Sequence, residues 1–260
     1  MIIKGNAIEE LNKMLPESVD LVVTDPPYKC ISGGKPHKKG QPSGMLSLND
    51  GKVFDHNDCP PRKYMPLLYR VLKSGCHAYI MTNLLNLQEM MEEAIKAGFQ
   101  IHNLLVWEKN NATPSRWYMK NAEFTMFLRK GKARRINNVG SKMVHRFNNT
   151  LGNKAHPTEK PVELMKFYIE NSSNTGDVVL DPFMGAGSTG IACMECHRNF
   201  IGIEVDEKFF EIAEKRLNKL WDKHTPCYLN GYDENLNNVW SSDRLIDCAE
   251  ETMLLALTIQ

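Results

Sequence analysis

The sequence predicts an α/β fold, a mostly parallel sheet with helices on both faces, on three observations. Short apolar, often β-branched runs alternate with helix-period stretches along most of the chain. Two of those runs, Val19 to Thr24 and Val178 to Leu180, end in turns rich in proline or glycine. The turns read Asp25-Pro26-Pro27-Tyr28 and Asp181-Pro182-Phe183-Met184-Gly185-Ala186-Gly187, and open α/β sheets hold ligands beyond such strand ends. The length of 260 residues, 42% apolar and 24% charged, suits one large domain.

Each element follows from local pattern. Met1 to Lys4 reads as a short strand, Ala7 to Met14 as a helix stopped near Pro16, and Val19 to Thr24 as a buried strand. Lys29 to Pro60 shows no period, and a loop of that length in a compact domain is usually functional or mobile. Pro61 to Leu72 is predicted helical, with Pro at its start and Gly75 beyond its end. His77 to Thr82 is a strand and Leu84 to Ala97 a helix stopped by Gly98. Strands Ile101 to Glu108 and Glu123 to Arg129 flank a turn at Asn110 to Pro114. Lys130 to Ala155 has no clear period. Pro161 to Asn171 (helix), Asp177 to Leu180 (strand), Ser188 to Cys196 (helix) and Phe200 to Glu204 (strand) follow. Asp206 then caps a helix that sets Phe209, Ile212, Ala213, Leu217 and Leu220 on one face. The tail from Thr225 carries a candidate helix, Arg244 to Leu257, and reads as a packing or oligomer element.

Composition narrows the function. No apolar run reaches the ~18 residues of a membrane helix, and no signal peptide opens the chain, so a soluble cytoplasmic protein without membrane partners is expected. Seven scattered cysteines argue against a disulfide framework. Cys193 and Cys196, with His197, match a haem-attachment spacing, but lying in a predicted helix they read as buried packing residues, and no metal is expected. The net charge of +1 conceals an asymmetry. No acid lies between Glu123 and Glu159, where Arg129, Lys130, Lys132, Arg134, Arg135, Lys142, Arg146 and Lys154 fall. Lys29 to Asn49 repeats the pattern with Lys29, Lys35, Lys38 and Lys39. One such run reads as a solvated loop; two, flanking the presumed active face, point to nucleic acid.

The two turns carry the chemistry. Gly185, Gly187 and Gly190 allow backbone to approach a ligand, and Glu204, ending the next strand, suits ribose hydroxyls. That fingerprint fits NAD and S-adenosylmethionine enzymes alike; a Walker loop is excluded, since no Lys-Ser/Thr follows the glycines. Asp25-Pro26-Pro27-Tyr28 separates the two. An exocyclic amine on an aromatic ring is a poor nucleophile because its lone pair is delocalised. Two acceptors off the ring plane, the Asp25 carboxylate and the Pro26 carbonyl, would hold its hydrogens and localise that pair. Pro27 helps fix the loop, and Tyr28 would stack on the ring.

With these motifs the chain resembles the beta-class, S-adenosylmethionine-dependent DNA amino-methyltransferases, in which the catalytic turn precedes the glycine turn. The resemblance covers most of residues 1 to 220. It includes Gly5-Asn6-Ala7, Ala78 to Asn83, Val106 to Asn110, Glu123 to Leu128, His156 to Pro161 and Asn199 to Glu204. It implies a Rossmann-like methyltransferase fold of permuted motif order. It places Asp181, Phe183, Gly185, Gly187 and Ser188 in the cofactor pocket and Glu204 on the ribose. His156, Thr158 and Lys160 would lie near the methionine carboxylate, and Asp25 between cofactor and target amine. Asn6 stands where the family usually has Asp, an acceptor for the cofactor's adenine amine, and keeps only an amide oxygen for that task.

Asp rather than Ser at position 25 leans toward adenine N6 over cytosine N4 within that family. The target base lies in duplex DNA, so it must be flipped out. Lys38 and Lys39 in the first basic loop, and Lys132, Arg134, Arg135, Lys142 and Arg146 in the second, are the candidate DNA contacts. The expected organisation is a catalytic and cofactor-binding unit, 1–129 and 156–220, with a short target-recognition insert, 130–155. A mobile loop, 29–60, and an extension, 221–260, complete it. A homodimer and a cognate restriction endonuclease are family-level expectations. Rival readings are a cytosine-N4 enzyme, an RNA or protein amide methyltransferase, an inactive DNA-binding module and an NAD oxidoreductase.

Overall fold

The computed structural model describes residues 1–27, 59–113, 118–149 and 159–224. Residues 29–58 of the expected mobile loop, the C-terminal extension beyond His224 with its candidate helix, and the Lys154 end of the basic segment lie outside the described residues, while the last helix continues through 221–224 into the expected extension. The elements are β1 Ile2–Lys4, α1 Ala7–Lys13, β2 Val19–Thr24, α2 Pro61–Val71, β3 Leu72–Thr82, α3 Leu84–Ala97 and β4 Gln100–Thr113. β5 Lys120–Arg129, β6 Val144–Phe147, α4 Val162–Ser172, β7 Val178–Asp181, α5 Ser188–Glu195, β8 Asn199–Glu204 and α6 Glu207–His224 follow.

One sheet orders these strands β1-β8-β7-β2-β3-β5-β4-β6. Every neighbouring pair is parallel except those of β5, which runs against both β3 and β4. The chain leaves β2 toward β3 and leaves β7 toward β8, so the strand order reverses between β2 and β7. That reversal opens a crevice at the strands' carboxyl ends, and both signature turns begin there.

Two apolar layers cover the sheet. Leu11, Tyr64, Met65, Leu68, Met90 and Ala94 of α1, α2 and α3 pack on Val22, Ala78, Ile80, Met126 and Leu128. Leu164, Tyr168, Ile169, Cys193, Ala213 and Leu217 of α4, α5 and α6 pack on Leu21, Val23, Tyr79 and Val179. Strand residues of alternate parity feed opposite layers, as the two-residue period requires. No described helix is long and apolar enough to cross a membrane.

Several element ends follow the expected chemistry. Asn83 and Asp206 cap their helices by accepting from the Asn86 and Phe209 amides, at 3.2 and 3.1 Å. Gly98 ends α3 in a left-handed conformation, φ 106°. Three expectations are corrected. α2 passes directly into β3 at Leu72, and Gly75, expected to follow the helix, lies inside the strand at φ 82°. β4 continues through the expected turn to Thr113, which pairs with Lys120. The stretch without period contains β6, which among the described strands is at the sheet edge and pairs with β4 alone.

Candidate active site at the strand reversal

The crevice is braced by one buried hydrogen-bond cluster. Thr24, the last residue of β2, donates to Asp181 at the end of β7 at 2.7 Å. Thr189 in α5 donates to the other carboxylate oxygen at 2.6 Å, and the Phe183 amide reaches Asp181 at 3.2 Å. Burial pushes the Asp181 carboxyl up to about 6, the three donors acting against that rise. Asp181 thus joins both turns and the helix behind them. Thr24 and Thr189 are site residues that sequence reasoning missed; their positions beside Asp25 and Ser188 are the signal that could have found them.

Asp25 follows directly, at the carboxyl end of β2, with buried Pro26 and partly buried Pro27 behind it. The proline rings fix φ, so the carboxylate leaves the strand in one direction. Its oxygen is ion-paired with the buried Lys160 ammonium. Lys160 also faces Glu123 of β5 at 3.5 Å, and Glu123 pairs with Lys109 of β4 at 2.8 Å. Burial works against the charge on Lys160, yet the carboxylates of Asp25 and Glu123 outweigh it and hold its pKa above the usual lysine value. Burial likewise opposes ionised Glu123, but Lys160 and Lys109 bring its pKa below the usual carboxylate value. An alternating chain, Asp25–Lys160–Glu123–Lys109, therefore runs from the turn into the β4–β5 pair. No sequence signal gives Glu123 and Lys109 this role, since they come from separate strands.

The glycine turn lies on the other side of the crevice. Gly185 and Gly187 adopt φ of 50° and 80°, conformations that other residues rarely adopt. Gly185 donates its amide to Glu204 at 2.9 Å, and Asp206 donates to the other Glu204 oxygen at 2.8 Å. Burial raises the Glu204 pKa, partly offset by those amides. A carboxylate offers about four lone-pair sites, so each Glu204 oxygen can accept a further donor. Asn6 caps α1 by accepting from the Ile8 amide at 2.9 Å, one residue after Gly5, whose amide bonds the Glu204 carbonyl. Ser188 is buried at the start of α5, and Phe183 packs edge-on against Tyr64 at 5.3 Å. This arrangement fits a nucleoside: a carboxylate acceptor at the strand end, a glycine turn without side chains to keep a ligand off the backbone, and an amide side chain beside them.

The structure thus brings together Asn6, Asp25, Pro26, Pro27, Lys160, Asp181, Phe183, Gly185, Gly187, Ser188 and Glu204 around the carboxyl ends of β1, β2, β7 and β8. Tyr28, Lys38, Lys39, His156 and Thr158 lie outside the described residues. Lys160 faces the Asp25 carboxylate, whereas the resemblance put it beside a methionine carboxylate.

The basic segment departs from its expected position along the active face. β5 is antiparallel, so Arg129 pairs with His77, midway along β3 and level with Leu21 near the start of β2. Lys130, Lys132, Arg134 and Arg135 follow at the far end of the sheet from Asp25. Lys130 is buried, its ammonium bonded to the Tyr69 and Leu72 carbonyls at 2.9 and 2.6 Å. Arg134 bonds the Ser172 carbonyl and Asp177 at 2.7 and 3.2 Å. Arg146 returns to the Asp25 end of the sheet. Its register partner Glu108 lies two rungs past Val106, which is level with Thr82 through Phe124.

Comparison with known proteins agrees with this geometry. Residues 19–215 match the family model described as DNA methylase. The chain is 31% identical over 241 residues to type II methyltransferase M2.DpnII of Streptococcus pneumoniae, covering 84% of this chain and 89% of that protein. It is 31% identical over 248 residues to type II methyltransferase M.HinfI of Haemophilus influenzae, covering 84% and 68%. Among solved structures, the M1.HpyAVI–SAM complex aligns with a TM-score of 0.61 at 26% identity, over 84% of this chain and 99% of that one. PvuII DNA methyltransferase, which is cytosine-N4-specific, aligns with a TM-score of 0.64 at 16% identity, over 96% and 91%, and shares the fold.

Proposed function

The chain belongs to the DNA methylases, the permuted amino-methyltransferases that use S-adenosylmethionine, and we propose that it methylates adenine N6 at a specific sequence in duplex DNA. The observation that carries this reading is Asp25 at the strand reversal, its carboxylate anchored by Lys160 and facing the crevice that also holds the glycine turn. Asp rather than Ser at this position favours adenine over cytosine.

Asn6, the Gly185–Gly187 backbone and Glu204 would hold the adenosine part of the cofactor, with His156 and Thr158 toward its methionine end. S-adenosylmethionine, when bound, supplies a sulfonium methyl open to in-line attack. The protein's own residues activate the other reactant. With the base turned out of the duplex, the Asp25 carboxylate and the Pro26 carbonyl accept the two amine hydrogens and draw the lone pair out of the ring system. Tyr28 stacks on the base and fixes its angle of approach. Asp25 is also the acceptor for the proton the nitrogen sheds once methylated. Lys160 and Glu123 keep that carboxylate in one orientation.

Around this centre, Arg146 with Lys38 and Lys39 would contact DNA at the catalytic end. A homodimer and a cognate restriction endonuclease complete the reading, in line with the type II methyltransferases among its relatives. The test is transfer from S-adenosylmethionine to unmethylated genomic DNA, with the product digested to nucleosides and weighed. N6-methyladenine is expected. N4-methylcytosine would retain the site and reverse the base assignment.

A further inference from the structure

A cavity of about 410 Å³ opens on the α4 side of the sheet, between β3, β5 and β4 and the segment 133–143. That volume lies within the roughly 300–1,000 Å³ of small-molecule sites. Its floor is a closed aromatic stack: Tyr79 lies between Phe127 and Tyr168 at 4.9 and 4.6 Å, and both Tyr79 and Phe127 are buried. Its walls and rim are cationic, from Arg129, Arg134, Arg135 and Lys142, and among the described residues no Asp or Glu lines it.

Two further observations suggest that an anion is called for. The Nε of Arg129 is buried without a hydrogen-bond partner among the described residues, a group that native structures rarely leave unsatisfied. His77, also lining the cavity, is held down at about 4 by burial, reinforced by the positive charges of Arg134 and Arg129. The histidine is therefore neutral, and the field around it is positive. Asp177 compensates only Arg134.

We infer that this cavity is a second ligand site, separate from the cofactor crevice and built for a phosphate group, that of a free nucleotide or of a nucleic-acid strand. Arg129 and the rim cations take the phosphate, and guanidinium groups suit its oxygens because two N–H donors match them in parallel. The site also gives a role to basic residues that the strand register removes from the catalytic end.

The full chain is first saturated with S-adenosylhomocysteine, so that the cofactor's own adenine pocket is filled. Adenosine monophosphate is then titrated by calorimetry and a short single-stranded oligonucleotide by anisotropy. The expected result is one adenosine monophosphate per chain, weakened about tenfold or more by Arg135→Glu with Lys142→Glu. Lys13→Glu with Lys96→Glu, the same charge change on two exposed residues of α1 and α3 on the other face of the sheet, should leave that affinity within about twofold. Arg129→Gln should cause the larger loss; if it fails to fold, the two exposed rim positions still decide the matter. Weakening of the oligonucleotide alone in the rim variant, spared by the control pair, would identify a strand as the source of the phosphate. Rim variants that bind both probes like the parent, or equal weakening by the control pair, would overturn the proposal.

Discussion

Asp25 and Asp181 leave the carboxyl ends of neighbouring strands, and their surroundings give them opposite tasks. Asp181 is a bracing residue: buried, bonded by two threonine hydroxyls, and raised to about 6 by burial. Between about pH 4 and pH 6 the folded protein retains a proton on Asp181 that the unfolded chain has lost. Its contribution to stability is therefore fully present below pH 4 and is lost as pH rises through 6, by about 3 kcal/mol in total. Asp181→Asn should remove that slope, so the difference in unfolding free energy between parent and variant should change by this amount across the window. Urea titrations at closely spaced pH values measure it, and parallel pH profiles would refute it. Asp25 instead meets the end of a charge chain. Glu123→Gln removes the carboxylate shared by Lys160 and Lys109, while keeping its shape. Misplacing a reacting group by about 1 Å costs about a hundredfold in rate, so kcat should fall about ten- to hundredfold. Cofactor affinity should barely change. Parallel loss of both would show that Glu123 supports the whole crevice rather than Asp25.

At the scale of elements, the glycine turn depends on the seating of α5. A Cβ on Gly190 would lie 2.7 Å from the Phe200 ring, so Gly190→Ala must push the helix off β8. Overpacking of this kind costs about 1–3 kcal/mol, and the displaced turn should also weaken binding of S-adenosylmethionine. Thermal unfolding and calorimetry on the same sample test both effects; a variant as stable as the parent would show that α5 yields without cost. The α/β elements flanking the crevice were legible because their strands are buried apolar runs and their ends carry strong cap chemistry, as at Asn83, Gly98 and Asp206. β6 was not legible. Val144 to Phe147 is a four-residue edge strand with alternating exposed and half-buried residues, and it offers no apolar run to read. Gly75 misled for a related reason: a glycine after a helix usually ends it, whereas here it bends a strand already under way.

For the whole molecule, charge census and charge placement diverge. The acid-free run after Glu123 reads as one basic surface, yet Lys130 is buried beneath α2 and Arg134 is tied to Ser172 and Asp177. A sequence lists cations without direction; the reversal of β5 is what sends the first half of the run to the far end of the sheet. The meeting of the two signature turns at the strand reversal was legible, since each is a contiguous motif at a strand end. The Asp25–Lys160–Glu123–Lys109 chain was not, because it assembles residues from four separate segments. Arg146 is largely exposed at the end of the sheet that carries Asp25, which is why it is the proposed DNA contact there. Arg146→Ala should weaken DNA binding across sequences and reduce the salt slope of the logarithm of affinity by about 1, as expected for one lost phosphate contact. An unchanged slope would move that contact elsewhere.

The central claim is that Asp25 activates the target amine at the strand reversal. It is tested most directly by single-turnover methyl transfer to DNA with Asp25→Ala, alongside cofactor and DNA binding by the same variant. The account predicts loss of transfer by about a thousandfold or more, as when a principal electrostatic group is removed from an active site, with the fold and most of the DNA affinity kept. Transfer at the parent rate by the folded variant would contradict it.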